Sequence, residues 1–152
     1  MQKSLISTNL YRKFTSQLPL ACIEMVVESN GRFVLVKRKS LPCKNQWWFP
    51  GGRVFFNETL LGTAKRKLEE ELGIKKIKSV KFLGIGESRF KKGYFNLPSH
   101  TINSIFLVRI SDSEAKNIKL DRIGHSDYRW QKKIPKGISP YLKKFLKKSD
   151  FK

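Results

Sequence analysis

The stretch Gly52-Arg53-Val54-Phe55-Phe56-Asn57-Glu58, followed after seven residues by Arg66-Lys67-Leu68-Glu69-Glu70-Glu71-Leu72-Gly73-Ile74, decides how the chain is read. Gly51 and Gly52 make a turn in which backbone carbonyls can approach a ligand, because no Cβ stands in the way. From Glu58 to Leu72 the apolar residues Leu60, Leu61, Ala64, Leu68 and Leu72 recur at helical steps, which predicts an amphipathic helix. Asn57 is the expected N-cap, and Gly73 is placed to end the helix as a left-handed C′ residue. Glu69, Glu70 and Glu71 crowd three carboxylates at the helix C-terminus, where the macrodipole disfavours negative charge. Arg66 and Lys67, one turn earlier, relieve this by only a few tenths of a kcal/mol per pair. The cluster is either a solvated helix face or a site for a hard divalent cation, Mg²⁺ or Mn²⁺.

Outward from this segment, strands alternate with turns. Leu20 to Glu28 and Phe33 to Val36 flank Asn30-Gly31, the pair that suits a type I′ hairpin turn. Trp47 to Phe49 predicts a short strand ended by Pro50-Gly51-Gly52. Val80 to Ile85, His100 to Ile110 and Tyr128 to Trp130 are further strands, the second with Ile102, Ser104, Phe106, Val108 and Ile110 on one face. Ser139-Pro140 opens a last helix whose apolar face is Tyr141, Leu142, Phe145 and Leu146, opposite Lys143, Lys144, Lys147 and Lys148. Strands interleaved with two helices indicate an α/β (α+β) class with a mixed sheet.

The 152 residues suffice for one domain. It spans 1–152, with residues 1–17 expected as an N-terminal arm and about 139–149 as a basic amphipathic helix. Charge is the outlying property: 32 Lys+Arg against 12 Asp+Glu give a formal +20. A cationic partner is excluded, and an anionic one (phosphates, nucleic acid or an anionic membrane) is expected. Cys22 and Cys43 make no disulfide framework and no zinc site; Cys22 is expected buried, Cys43 in an exposed loop. The N-terminus lacks the apolar core of a signal peptide, and no apolar run approaches the ~20 residues of a membrane span. A reduced, cytoplasmic protein is the expectation.

The 52–74 spacing resembles the Nudix box, Gly-x5-Glu-x7-Arg-Glu-U-x-Glu-Glu-x-Gly-U, in which U is a bulky aliphatic residue. Gly52, Glu58, Arg66, Leu68, Glu70, Glu71, Gly73 and Ile74 fall in register, and Lys67 stands where the pattern has Glu. The resemblance implies the Nudix fold, a mixed sheet sandwiched between helices, with the box as a loop–helix–loop at a metal site. In diphosphate-cleaving members the missing Glu serves as metal ligand or general base, roles a lysine cannot fill.

A narrower resemblance links Val36-Lys37-Arg38, Trp47 to Val54 and His125-Ser126-Asp127-Tyr128-Arg129-Trp130 to the GDP-mannose mannosyl hydrolases. Those enzymes lack the same Glu, use Mg²⁺ and release GDP and mannose by inverting C–O cleavage. The resemblance implies Gly51 and Glu71 as metal ligands, with Glu70 able to fill a further position, and His125 as general base. It implies Arg38 and Arg53 on the diphosphate, Arg53 also aiding catalysis, and Glu24 as a sugar-binding acid. It also implies a homodimer. Gly124 stands where that subfamily carries a side-chain metal ligand. The chemistry suits the residues. A histidine near pKa ~6.5 can take a proton from water, and guanidiniums can neutralise a leaving diphosphate.

Two other activities compete. One is P–O–P cleavage of a nucleoside triphosphate, ADP-ribose or another nucleotide sugar. The other is nucleic-acid binding, suggested by seven basic residues against one acid in 75–92 and eight against one in 131–152.

Overall fold

Asn30 and Gly31, with φ of 50° and 68°, close the expected hairpin turn between β1 (Leu20–Ser29) and β2 (Arg32–Arg38). The computed structural model describes residues 6–152. β3 (Trp47–Trp48), β4 (Gly51–Arg53), β5 (Ser79–Phe90), β6 (Ser99–Arg109) and β7 (His125–Gln131) complete a seven-stranded sheet with the path β3-β2-β1-β6-β5. β1 and β6 run parallel along their length, from Leu20 opposite Thr101 to Glu28 opposite Arg109, and every other pairing is antiparallel.

One irregularity creates the site. β1 and β2 pair only at the hairpin, Glu28 with Phe33 and Ser29 with Arg32. Beyond it they part: β4 pairs with β1 at Cys22 to Glu24, and β7 pairs with β2 from Phe33 to Arg38. Arg38, Gly51 to Arg53 and His125 therefore come from strands that line the parted ends.

Alternation along the central strands feeds two cores, as a mixed sheet covered on both faces requires. Ile23, Met25, Val27, Val34, Val36, Phe106, Val108 and Ile110 pack on Ala64, Leu68 and Leu72 of α2 (Leu60–Leu72, with α1 being Thr8–Gln17). Val26, Phe33, Leu35, Ile105 and Leu107, on the other face, pack on Leu142, Phe145 and Leu146 of α4 (Pro140–Lys148). A short α3 (Asp112–Lys116) connects β6 to β7. This is the mixed sheet between helices that the sequence predicts. No helix among the described residues is long and apolar enough to cross a membrane.

Several local expectations change. The N-cap of α2 is Thr59, whose side chain accepts from the Gly62 N–H, whereas Asn57 sits two residues earlier in the left-handed region (φ 62°). Glu58 accepts from the Phe55 N–H and the Thr63 hydroxyl, which holds the chain in a turn and delays the helix. Leu60 and Leu61 consequently stay 42% and 44% exposed, and the apolar face fills only from Ala64. Gly73 does end the helix in the left-handed conformation (φ 69°). Ile102 is 38% exposed, so only the Phe106 end of its strand face is core.

The arm expected at 1–17 contains helix α1, capped by Ser7, which accepts from the Leu10 N–H; residues 1–5 lie outside the described residues. Ser7 and the apolar spacing of Leu10, Tyr11, Phe14 and Leu18 are the signals that announce it. Both cysteines are free and half-buried; Cys43, expected exposed, packs against the α4-side core.

Candidate active site

The loop 51–58 is bound to α2 by charge. Arg66 donates through Nε to Glu58 Oε1 (2.6 Å) and through Nη2 to Glu58 Oε2 (2.9 Å), a bidentate pair. The same Nη2 donates to the Arg53 carbonyl (3.0 Å), and the guanidinium lies 4.0 Å from the Phe55 ring centre. The Arg66 guanidinium, as donor partner, holds the Glu58 carboxyl down at about 2. Arg66 and Glu58 thus act on the loop's shape.

Of the three glutamates, Glu69 faces solvent while Glu70 and Glu71 turn inward. Glu71 is 6% exposed and its Oε2 accepts from the Gly51 N–H (3.1 Å), which ties β4 to the helix end. Lys67 lies between them, its Nζ 2.8 Å from Glu71 Oε1 and 3.3 Å from Glu70 Oε2. Burial alone would lower its pKa, but Glu71 and Glu70 outweigh that and hold it above the ordinary lysine value. Its stem lies flat over Gly52, where an added Cβ would fall 2.8 Å from Lys67 Cε. Gly52 lies in strand β4 and not in the expected turn, and its missing Cβ leaves the space that the Lys67 stem occupies.

The segment leading to His125 is hydrogen-bonded to the same helix end. Lys119 and Asp121 N–H groups donate to the Leu72 and Glu71 carbonyls, 2.9 Å each, using acceptors a helix terminus leaves free. His125 is buried, with Nε2 3.9 Å from Glu71 Oε2 and Nδ1 without a partner among the described residues. Burial lowers its pKa below the usual histidine value, with Glu71 opposing, so the imidazole is neutral at pH 7.

These groups line a cleft of about 230 Å³ with Arg38, Arg53, Tyr94, Asp121 and Gly124. A narrower inner cavity of about 70 Å³ shares Arg38, Arg53 and Gly51 and continues to Cys22, Glu24, Trp48, Thr101 and Asn103. Arg38, Arg53, Gly51, Glu70, Glu71 and His125 therefore meet in one place.

Glu24 differs from the expectation of a carboxylate offered to a sugar. It is half-buried at the inner cavity wall, accepting from Trp48 Nε1 and from the Tyr141 hydroxyl, both at 2.6 Å. Asn103 Nδ2 donates in turn to that hydroxyl (2.9 Å).

Three contributors escaped the sequence reading. Tyr11 of α1 stacks on Arg53, 4.2 Å from guanidinium to ring centre. Tyr94, from the turn at Tyr94–Asn96, lines both cavities and packs edge-on to Tyr11. Asp121 accepts from the Ile123 and Gly124 N–H groups, and a Cβ at 124 would lie 2.9 Å from its Oδ2. A carboxylate thus reaches the space that the missing side chain at Gly124 would enter. The signal for it is an Asp three residues before a Gly in a polar loop.

The donor set suits a divalent cation. Glu70 and Glu71 present hard oxygens, and an ammonium already lies between them. Among the described residues no group of three or more His, Cys, Asp or Glu is arranged to enclose a metal on its own, so a cation held at Glu70 and Glu71 would need further oxygen ligands from outside these side chains.

Residues 18–133 match the family model described as the NUDIX domain. The chain belongs to the Nudix family. Among curated relatives it is 27% identical over 138 residues to the low-salt glycan biosynthesis protein Agl8 of Haloferax volcanii, covering 90% of this chain and 85% of that one. It is 28% identical over 116 residues to the ADP-ribose pyrophosphatase of Methanocaldococcus jannaschii, covering 75% and 65%. Among solved structures, a MutT Nudix hydrolase from Burkholderia pseudomallei superposes with a TM-score of 0.72 at 21% identity, over 87% of this chain and 98% of that one. Nudix hydrolases generally use a divalent metal such as Mg²⁺ or Mn²⁺, which agrees with the donors at Glu70 and Glu71. Helices α1 and α4 fall outside the matched Nudix segment, yet each sends a tyrosine to it: Tyr11 to Arg53, Tyr141 to Glu24.

Proposed function

We propose that this Nudix hydrolase cleaves a nucleoside diphosphate sugar of the GDP-mannose type at the sugar C–O bond, giving GDP and free sugar. The carrying observation is the exchange of bases at the site: Lys67 stands at the box position of the missing Glu, and a neutral, buried histidine faces Glu71. An ammonium held above its ordinary pKa cannot accept a proton from water at neutral pH, whereas a neutral imidazole can. His125 takes the proton as water oxygen bonds to the anomeric carbon. The carbon–oxygen bond breaks, and its electron pair stays on the terminal phosphate of the departing GDP. Arg38 and Arg53 hold the diphosphate and neutralise its growing charge. Glu70, Glu71 and the Gly51 backbone would hold Mg²⁺ or Mn²⁺, which when bound adds charge neutralisation at the leaving diphosphate.

Glu24, Trp48, Asn103 and Thr101 line the inner cavity, which continues the cleft past Arg38 and Arg53, with the half-buried Glu24 as one wall. The glycan-biosynthesis role named for the Haloferax relative supports a sugar nucleotide. A second reading, P–O–P cleavage, draws on the retained Glu70 and on the archaeal ADP-ribose pyrophosphatase relative.

Products decide. In Mg²⁺ or Mn²⁺, GDP-mannose should yield GDP and free mannose, and should be turned over faster than GDP-glucose or ADP-ribose. GMP with mannose 1-phosphate would replace this reading by the second.

A further inference from the structure

Lys67 does more than omit a glutamate. Its ammonium sits between Glu70 and Glu71, and its stem is confined between Gly52 and the helix. The cleft is already balanced without any metal. Glu70, Glu71 and Asp121 face Arg38, Arg53 and Lys67, while Arg66 bridges Glu58 and Glu70, its Nη1 3.2 Å from Glu70 Oε2. Adding a divalent cation alone would place two positive charges beside an ammonium with no anion to spare. Among the described residues no group of three or more His, Cys, Asp or Glu encloses a metal by itself.

A diphosphate changes both terms at once. It supplies the missing oxygen ligands and gives the displaced ammonium a new partner within the cleft. We propose that Lys67 is a tethered cation that holds the metal position until a diphosphate arrives, so that the divalent ion and the nucleotide load together. This rests on reading the cleft as a metal and nucleotide-diphosphate site. The competing account is a plain surface pair of Lys67 with Glu70 and Glu71 at helical spacing, a weak interaction that a metal would displace at little cost.

Mn²⁺ titration, followed by calorimetry or by the electron paramagnetic resonance of free Mn²⁺, separates the two. It is run on the wild type and on Lys67→Met with and without GDP, corrected for Mn²⁺ held by GDP in solution. The wild type should bind Mn²⁺ at least tenfold more tightly when GDP is present, and by linkage GDP should bind correspondingly more tightly with Mn²⁺. Lys67→Met should bind Mn²⁺ alone at least tenfold more tightly than the wild type and lose most of the GDP effect. Lys67→Gln provides a second variant if the methionine disturbs folding. Equal Mn²⁺ affinity of wild type and charge-free variants in the absence of GDP overturns the proposal. Failure of GDP to bind at any Mn²⁺ level would instead overturn the nucleotide reading, and the comparison without GDP still decides the role of Lys67.

Discussion

Single residues carry the chemistry here, and they differ in how far the linear chain reveals them. Glu70, Glu71, Gly51 and Arg66 follow from spacing, because a helix places residues three and four apart on one face. His125 was one of only two histidines. Its burial and low pKa come from the fold, which stitches 119–121 onto the end of α2 and turns the ring toward Glu71. Replacing it tests its role. His125→Gln should lower kcat by about 10²–10⁴-fold with KM changed only a few-fold, since a base acts on water and not on the diphosphate. Steady-state kinetics check this, and a loss confined to KM would make His125 a binding residue. Glu24 was legible as an acid in an apolar run, but its partners Trp48 and Tyr141 lie 24 and 117 residues away. No local pattern encodes such a contact.

At the scale of elements, the loop 51–58 and helix α2 form one unit, held by the Arg66–Glu58 pair and by Gly51 on Glu71. Glu58 titrates at about 2 in the folded protein, against ~4.3 in an unfolded chain. The depressed value means that its stabilising contribution is complete above pH ~4.3 and disappears as the pH falls toward 2. The melting-temperature gap between wild type and Glu58→Gln should therefore be widest near neutrality, narrow below pH ~4.3 and close near pH 2. Melting curves measured across pH 2–7 provide the check, and a gap independent of pH would deny the pair its role. The same element shows how a cap can be misplaced. Asn57 has the right residue type, but Glu58 draws donors from three residues to itself and leaves Thr59 to start the helix. Helix α1 carries a legible cap and apolar spacing, but Leu10 and Phe14 stay exposed and Tyr11 gains its partners Arg53, Tyr94 and Phe95 from distant parts of the chain.

For the whole molecule, the net charge of +20 is the dominant long-range property. Four of the twelve acids (Glu58, Glu69, Glu70 and Glu71) lie within fourteen residues of the box, so the rest of the surface is strongly basic around an acidic helix end. Such a field draws in an anionic nucleotide, and salt screens it as the Debye length shrinks from ~30 Å at 0.01 M to ~8 Å at 0.15 M. kcat/KM for the nucleotide sugar should fall over that range while kcat stays nearly constant. Initial rates against ionic strength at fixed free Mg²⁺ measure it, and a flat kcat/KM would assign the basic surplus to another partner. By itself the sequence determined every strand except β4 (read as a turn), the box helix, its left-handed glycine end, the last helix and the anionic character of the ligand. Those are properties of local periodicity, turn chemistry and summed charge. The tertiary structure alone decided that β1 and β2 part beyond their hairpin, that the Lys67 stem lies over Gly52, and that Tyr11 and Tyr141 reach the site from opposite ends of the chain. Such contacts depend on packing between segments far apart in sequence, where no spacing rule applies.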